Sequence, residues 1–157
     1  MGCRLFKRLI GETDRSERKR THYNLHPNLD DPVQRLCVAI DPGSYIRPHR
    51  HSAPGKWELF VALIGSATLL VFDESGRIIE RNDFSGNGPV YVVEVPENTW
   101  HTLAAVIRGT VLVEIKPGPY TPITDGDLAP WSPAEGTEKA ALFEKQFRML
   151  PVGSRVA

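Results

Sequence analysis

Short apolar segments separated by turn residues fill the middle of the chain. Residues 34–40, for example, form an apolar run that the turn sequence Asp-Pro-Gly-Ser closes at residues 41–44. About eight such runs follow one another, and short strands at near-regular spacing predict an all-β sandwich or barrel. The predicted strands span residues 34–40, 45–51, 57–64, 67–72, 77–81, 90–95, 100–107 and 110–116.

The two ends of the chain do not follow this strand pattern. The N-terminal extension (residues 1–32) begins with a basic segment and continues as an irregular stretch from residue 21, whereas the barrel is expected over residues 33–117. A Pro-rich stretch opens the tail (residues 118–157), and its last part places apolar residues at helical spacing. Residues 132–135 resemble a capping box, so we expect a C-terminal amphipathic helix that packs on the barrel or on a partner subunit.

Composition and charge exclude several classes of protein. The chain has 157 residues, 19 basic and 19 acidic, so its net charge is zero and a dedicated nucleic-acid binder is not expected. No apolar run approaches the ~18 residues of a membrane span. Two cysteines are too few for a disulfide framework, so we expect reduced thiols in a cytoplasmic protein.

Charge is nevertheless uneven along the chain. Residues 4–20 hold seven basic and three acidic residues, a local net of +4. This segment is either an arm for an anionic partner or a solvated N-terminal helix or frayed segment, and we favour the second interpretation.

Candidate chemistry centres on three histidines and one glutamate. His49 and His51 point to the same side of a predicted strand, because side chains alternate along a strand. A Pro-Gly turn precedes Glu58, whose strand can run back beside them, and His101 follows another tight turn. Three imidazoles and a carboxylate suit a divalent transition metal such as Fe, Mn, Ni, Cu or Zn. The alternative is that these histidines are structural or surface residues.

These segments resemble the two sequence motifs of the cupins. The first motif, Gly-x5-His-x-His, a spacer, then Glu-x6-Gly, corresponds to residues 43–65, and the second corresponds to residues 96–101. A finer resemblance, to WbuC-type cupin metalloproteins, spans about residues 20–136 and includes the Asn-Leu-His run at residues 24–26. It implies a jelly-roll barrel with metal ligands His49, His51, Glu58 and His101, and an association with bacterial surface-polysaccharide gene clusters.

Two departures from the cupin pattern affect the expected site. The spacer between His51 and Glu58 has six residues, longer than usual, so Glu58 either binds the metal or orients a ligating histidine. Asn98 replaces the usual glycine of the second motif, and because asparagine tolerates the left-handed conformation we expect the turn to be retained.

Four further residues are candidates for ligand binding. Arg47 lies an even number of positions from His49 and His51, and Lys56 lies two positions from Glu58. On a strand, each base therefore faces the same side as the neighbouring candidate ligands. Each base is expected either to recognise a carboxylate or phosphate or to form an internal salt bridge with Glu94 or Glu114. The other two candidates are Tyr45, which could place a phenol near the metal, and His26, which could cap the pocket.

Two functions of different classes fit these residues. The first is a metal-dependent isomerase, epimerase, lyase or dioxygenase acting on a small polar, anionic or sugar-derived substrate, with Glu58 as a possible general base. The second is a non-catalytic metabolite- or sugar-binding module. A homodimer is expected because exposed sheet edges and the C-terminal helix favour association.

Overall fold

The computed structural model describes residues 2–156. Two antiparallel sheets, with strand orders β1-β2-β8-β3-β6 and β5-β4-β7, form a jelly-roll barrel that carries a helix at each end of the chain. The predicted all-β fold and both helices are therefore confirmed. The elements are α1 (Cys3–Arg15), β1 (Arg20–Asn24), β2 (Val33–Ile40), β3 (Glu58–Ile64), β4 (Ser66–Phe72), β5 (Ile78–Ser85), β6 (Val92–Val95), β7 (His101–Ala105), β8 (Thr110–Pro117), a short 3-10 helix (Asp125–Asp127) and α2 (Glu138–Met149).

The main core lies between the two sheets. Alternation places every second residue of β3 inside, so Phe60 and Ala62 are buried while the residues between them are half-buried. Leu69 of β4, Leu103 of β7 and Leu112 of β8 pack in the same cluster. This apolar cluster holds the two sheets together next to the polar residues described below.

The N-terminal helix covers the outer face of the five-stranded sheet. Leu9 of α1 is buried against Cys37, Ala39 and Val111. This confirms the expectation of a helix in the basic segment. Neither helix in residues 2–156 is long and apolar enough to cross a membrane.

The C-terminal helix begins later than the capping-box pattern predicted. Thr137 is the N-cap, and its hydroxyl accepts a 3.1 Å hydrogen bond from the Ala140 amide. The Ser132 hydroxyl instead donates to the Ala129 carbonyl, so the predicted cap at residues 132–135 is wrong. Gly136 has φ +83, a left-handed conformation that separates this turn from α2.

Two predictions about strands are also wrong. Residues 21–24, expected to be irregular, belong to edge strand β1, which the pattern does not reveal because none of its side chains is buried. Residues 45–51, expected to be a strand, make only isolated bridges from His49 to His101 and Leu128. Pro48 in this segment has no amide hydrogen to donate to a ladder.

Candidate metal centre

Four side chains from three parts of the fold meet at one end of the barrel. His49 and His51 lie in the irregular segment before β3, Glu58 is the first residue of β3, and His101 is the first residue of β7. One ligand atom of each lies within 4.8 Å of the others. We call this set the His–Glu cluster. The structure thus brings together the four residues that the sequence predicted.

Backbone hydrogen bonds fix the segments that carry the cluster. The amide of His49 donates to the carbonyl of His101 at 3.0 Å, and the amide of His101 donates back at 2.9 Å. The amide of Asn98 donates to the carbonyl of His51. Asn98 has φ +53, which confirms that asparagine retains the left-handed turn. The two motifs are therefore joined directly to each other through the main chain.

Backbone carbonyls also fix the orientation of two of the rings. Nδ1 of His49 lies 2.9 Å from the Arg47 carbonyl, and Nδ1 of His101 lies 2.8 Å from the Thr99 carbonyl. A carbonyl only accepts, so each Nδ1 carries the hydrogen and donates it. In the neutral ring, Nε2 then presents a lone pair, which is the form that a metal binds.

Glu58 faces the Nε2 atoms of the rings. Its Oε1 lies 3.0 Å from Nε2 of His51, and its Oε2 lies 3.0 Å from Nε2 of His101. Because Nδ1 of His101 carries the hydrogen, Nε2 of the neutral ring and the Glu58 oxygen are both acceptors, so their approach needs a proton or a metal ion between them. The donor set and its arrangement therefore fit a cation.

Burial and neighbouring charge set the protonation of the cluster. Burial, together with the neighbouring His101, lowers the pKa of His49 to about 3, so this ring is neutral at pH 7. Burial alone would raise the pKa of Glu58, but the neighbouring imidazoles of His101 and His51 and the charge of Lys116 hold it well below its usual range. The cluster thus offers a neutral imidazole and an ionised carboxylate.

Two residues of β8 that the site prediction omitted complete the polar end of the barrel. The Lys116 ammonium lies 2.9 Å from Oε1 of Glu58 and 2.5 Å from Oε1 of Glu114. Burial and the nearby charge of Glu58 raise the pKa of Glu114. Burial would lower the pKa of Lys116, but the two carboxylates raise it. Both residues have the parity of Leu112, a signal that could have identified them as inward-facing.

Two neighbouring cavities lie at the cluster. An inner cavity of about 120 Å³ is lined by the His–Glu cluster, by Glu114 and Lys116, and by the apolar residues Ile46, Phe60, Leu103 and Ile123. An outer cleft of about 340 Å³ opens beside it. The two share a boundary at His51, Glu58, Lys116 and Ile123. Since His51 and Glu58 line both cavities, a small molecule in the outer cleft would contact two members of the cluster.

The candidate bases occupy different places. Lys56 lines the outer cleft, where its ammonium donates to the carbonyls of Pro117 and Pro119. Arg47 lines neither cavity, and its guanidinium donates to the hydroxyl and carbonyl of Ser132. Neither base forms the predicted alternative, a salt bridge with Glu94 or Glu114, within residues 2–156.

Tyr45 and His26 are buried and line neither cavity. The Tyr45 hydroxyl donates to the Pro133 carbonyl, and burial raises its pKa to about 12. Nδ1 of His26 accepts from the Arg35 amide at 2.9 Å. The roles of Tyr45, His26 and Arg47 in ligand binding stay predictions, and the structure places these residues in the packing around the site.

Asp127, which the sequence did not single out, anchors the segment that carries the histidines. Its Oδ1 accepts a 2.6 Å hydrogen bond from the Ser52 hydroxyl, and its Oδ2 accepts one of the same length from the Thr124 hydroxyl. These hydrogen bonds hold the pKa of Asp127 well below its ordinary value. Its carbonyl also accepts from the Arg50 amide, so the tail fixes the segment between the two histidine ligands.

Comparisons with known proteins support the fold. A family model described as "Domain of unknown function (DUF6016)" matches residues 2–84. No curated protein matches the chain. KdgF from Halomonas sp. is 17% identical with a TM-score of 0.50, over 65% of this chain and 82% of that one. The conserved protein SPY1581 from Streptococcus pyogenes, of unknown function, is 16% identical with a TM-score of 0.50, over 68% and 80%.

A cupin superfamily protein from Desulfitobacterium hafniense is 19% identical with a TM-score of 0.48, over 62% of this chain and 76% of that one. At such identities, similarity to the solved structures concerns the fold alone. The fold is a cupin-like jelly roll, and the function has to be argued from the residues of this site.

Proposed function

The chain belongs to the DUF6016 family, and we propose that it is a metal-binding cupin with one divalent transition-metal ion held by the His–Glu cluster. The observation that carries the proposal is the convergence of four ligand atoms within 4.8 Å at the end of a cavity. Three nitrogens and an oxygen suit Fe, Mn, Ni, Cu or Zn. When bound, such an ion supplies Lewis-acid polarisation of a ligand oxygen.

Glu58 is proposed as a direct metal ligand. A carboxylate that orients a ligating histidine accepts from the ring nitrogen on the side away from the metal. In His49 and His101 that nitrogen, Nδ1, already donates to a backbone carbonyl, and Glu58 lies instead on the Nε2 side. This arrangement favours Glu58 as the fourth ligand over a role in orienting the rings.

The ligand is proposed to be a small polar or anionic molecule, and a sugar-derived one if the WbuC-type resemblance extends to function. Two ammonium groups, Lys56 and Lys116, and two carboxylates, Glu58 and Glu114, line the cavities. A divalent ion would add an excess of positive charge that an anion balances. A role in surface-polysaccharide metabolism and a homodimeric state are part of the same proposal.

Metal binding is tested by titrating the chelator-stripped chain with Zn²⁺ in a calorimeter. The proposal predicts one ion per chain, and His101→Ala should weaken binding more than about 100-fold, since a lost ligand costs more than a lost outer contact. His22→Ala is the matched control, because His22 lies on β1 outside the cluster. Unchanged Zn²⁺ affinity in a His101→Ala protein with a native circular-dichroism spectrum contradicts the proposal.

A further inference from the structure

The outer cleft has a polar end and an apolar wall. Its polar end is the boundary that it shares with the inner cavity, where Glu58 and Lys116 lie. Its other lining includes two aromatic residues, Trp57 and Tyr120, whose side chains are partly exposed at 37% and 50%. Three prolines contribute to the same wall, Pro117, Pro119 and Pro122.

Two of the polar side chains beside this wall, Lys56 and Gln34, already have backbone partners. The Lys56 ammonium donates to the carbonyls of Pro117 and Pro119 at 3.1 and 2.7 Å. The amide nitrogen of Gln34 donates to the carbonyls of Leu29 and Asp31. The wall therefore offers more apolar than polar surface, with Thr121 as a further polar residue, and the charged groups lie at the end near the cluster.

The wall is also fixed in place. The two hydrogen bonds from Lys56 hold the backbone on either side of Gly118, and the Tyr120 amide donates to the Leu29 carbonyl at 2.7 Å. Trp57 lies between Lys56 and the proposed ligand Glu58 in the chain. A ring that packs on this wall is thus held at a defined place relative to the cluster.

Within residues 2–156, neither aromatic ring stacks on another ring or on a cation. Partly exposed aromatic side chains in a cleft are suited to packing against the apolar face of a bound ring. The excess of positive charge that a divalent ion would give the cavities favours an anionic group on the same ligand.

We propose that the outer cleft is a ring-binding subsite formed by Trp57 and Tyr120, and that the ligand is a monocarboxylate bearing a carbon ring. The carboxylate lies at the cluster and the apolar face of the ring lies against the two aromatic side chains. This inference rests on the metal centre proposed above. It adds the shape of the ligand, because the carboxylate and the ring have separate sites.

The test uses the full chain loaded with Zn²⁺ and three probes: cyclohexanecarboxylate, acetate and cyclohexylmethanol. We expect cyclohexanecarboxylate to bind about tenfold more tightly than acetate, because only the ring buries apolar surface in the cleft. Cyclohexylmethanol, which lacks the charge, should bind more weakly than cyclohexanecarboxylate. Calorimetric titration measures all three dissociation constants.

Variants identify the place where the ring binds. Tyr120→Ala and Trp57→Ala should each reduce the preference for cyclohexanecarboxylate over acetate to about threefold or less, while Zn²⁺ affinity stays within about twofold. Tyr91→Ala is the control, because Tyr91 is similarly exposed, at 49%, but does not line the cleft. It should retain the tenfold preference.

Each outcome separates the two proposals. If Zn²⁺ binds but wild type shows no preference for the ring, or if Tyr120→Ala and Trp57→Ala leave the preference unchanged, the ring-binding subsite is wrong and the metal centre stands. If the chain binds no Zn²⁺, the metal centre fails and the subsite, which depends on it, fails too.

Discussion

The two ends of the barrel interior are built from the same strands but differ in chemistry. On β3, β7 and β8, residues two positions apart on the same face differ in polarity. The pairs, apolar residue first, are Phe60 and Glu58, Leu103 and His101, and Leu112 and Glu114. One end is an apolar cluster and the other is a network of charges. Strand geometry alone therefore does not make a site, since neighbouring positions on the same face of a strand carry either apolar or polar side chains.

The two ends differ in what stabilises them. The apolar end gains free energy from the burial of hydrocarbon, at about 25 cal/mol per Å². The polar end must offset the desolvation of buried charges by pairing them, and removing one partner leaves the others unpaired. Substitutions at either end should therefore lower stability, but for different reasons. Only substitutions at the polar end should change Zn²⁺ affinity.

The largest effect is expected from Lys116→Met in the metal-free chain. The substitution removes the ammonium that pairs with both Glu58 and Glu114, and the free energy of unfolding should fall by about 3–5 kcal/mol. Zn²⁺ should restore more stability to this variant than it adds to wild type, because the ion neutralises Glu58. Urea denaturation with and without Zn²⁺ measures both effects. Lys116→Arg, which keeps the charge, is the control, and wild-type stability of metal-free Lys116→Met would refute the pairing argument.

Leu112→Ala tests the apolar cluster on the same strand, two residues from Glu114. Leu112 is 1% exposed in the main core, so the cavity left behind should cost about 3 kcal/mol of unfolding free energy. At temperatures where the variant remains folded, its Zn²⁺ affinity should equal that of wild type, as measured by calorimetry. A parallel loss of Zn²⁺ affinity would show that the two ends are coupled, contrary to this account.

A smaller effect is expected from Asp127→Asn, which weakens the anchor of the histidine segment. The amide group cannot accept from both Ser52 and Thr124 as the carboxylate does, so stability at pH 7 should fall by about 1–2 kcal/mol. Zn²⁺ affinity should fall about tenfold, because the backbone between the histidine ligands loses its support. Asp125→Asn is the control, since Asp125 is exposed on the same short helix.

The pH dependence of the free energy of unfolding tests the stabilisation that Asp127 contributes. Its pKa is depressed in the folded chain, so its stabilisation is complete above the ordinary carboxyl pKa of about 4 and is lost as the pH falls below it. Between pH 5 and 3, Asp127→Asn should therefore lose less stability than wild type. Equal losses in urea melts over this range would contradict the assignment.

The sequence predicted most of the barrel because alternation is strong wherever one face of a strand is buried. It failed for β1, an edge strand whose side chains stay exposed or half-buried, and for residues 45–51, where alternation occurs without a ladder. It placed the C-terminal helix in the right part of the chain but missed its N-cap, Thr137.

The candidate site was predictable to a similar degree. Motif spacing identified the four members of the His–Glu cluster, and strand parity could have added Glu114 and Lys116. The contact between Asp127 and Ser52 joins residues 75 positions apart, and no local pattern indicates it. The contact between Arg47 and Ser132 joins residues 85 positions apart, and strand parity does not indicate it.

The most direct test of the metal centre is a crystal structure of the Zn²⁺-loaded chain, with anomalous diffraction measured at the zinc absorption edge. The account predicts one anomalous peak at the His–Glu cluster, about 2.0–2.2 Å from three histidine nitrogens and from a carboxylate oxygen of Glu58. A crystal grown with Zn²⁺ that shows no peak there, or a peak held by other residues while Glu58 still contacts the imidazoles, would contradict it.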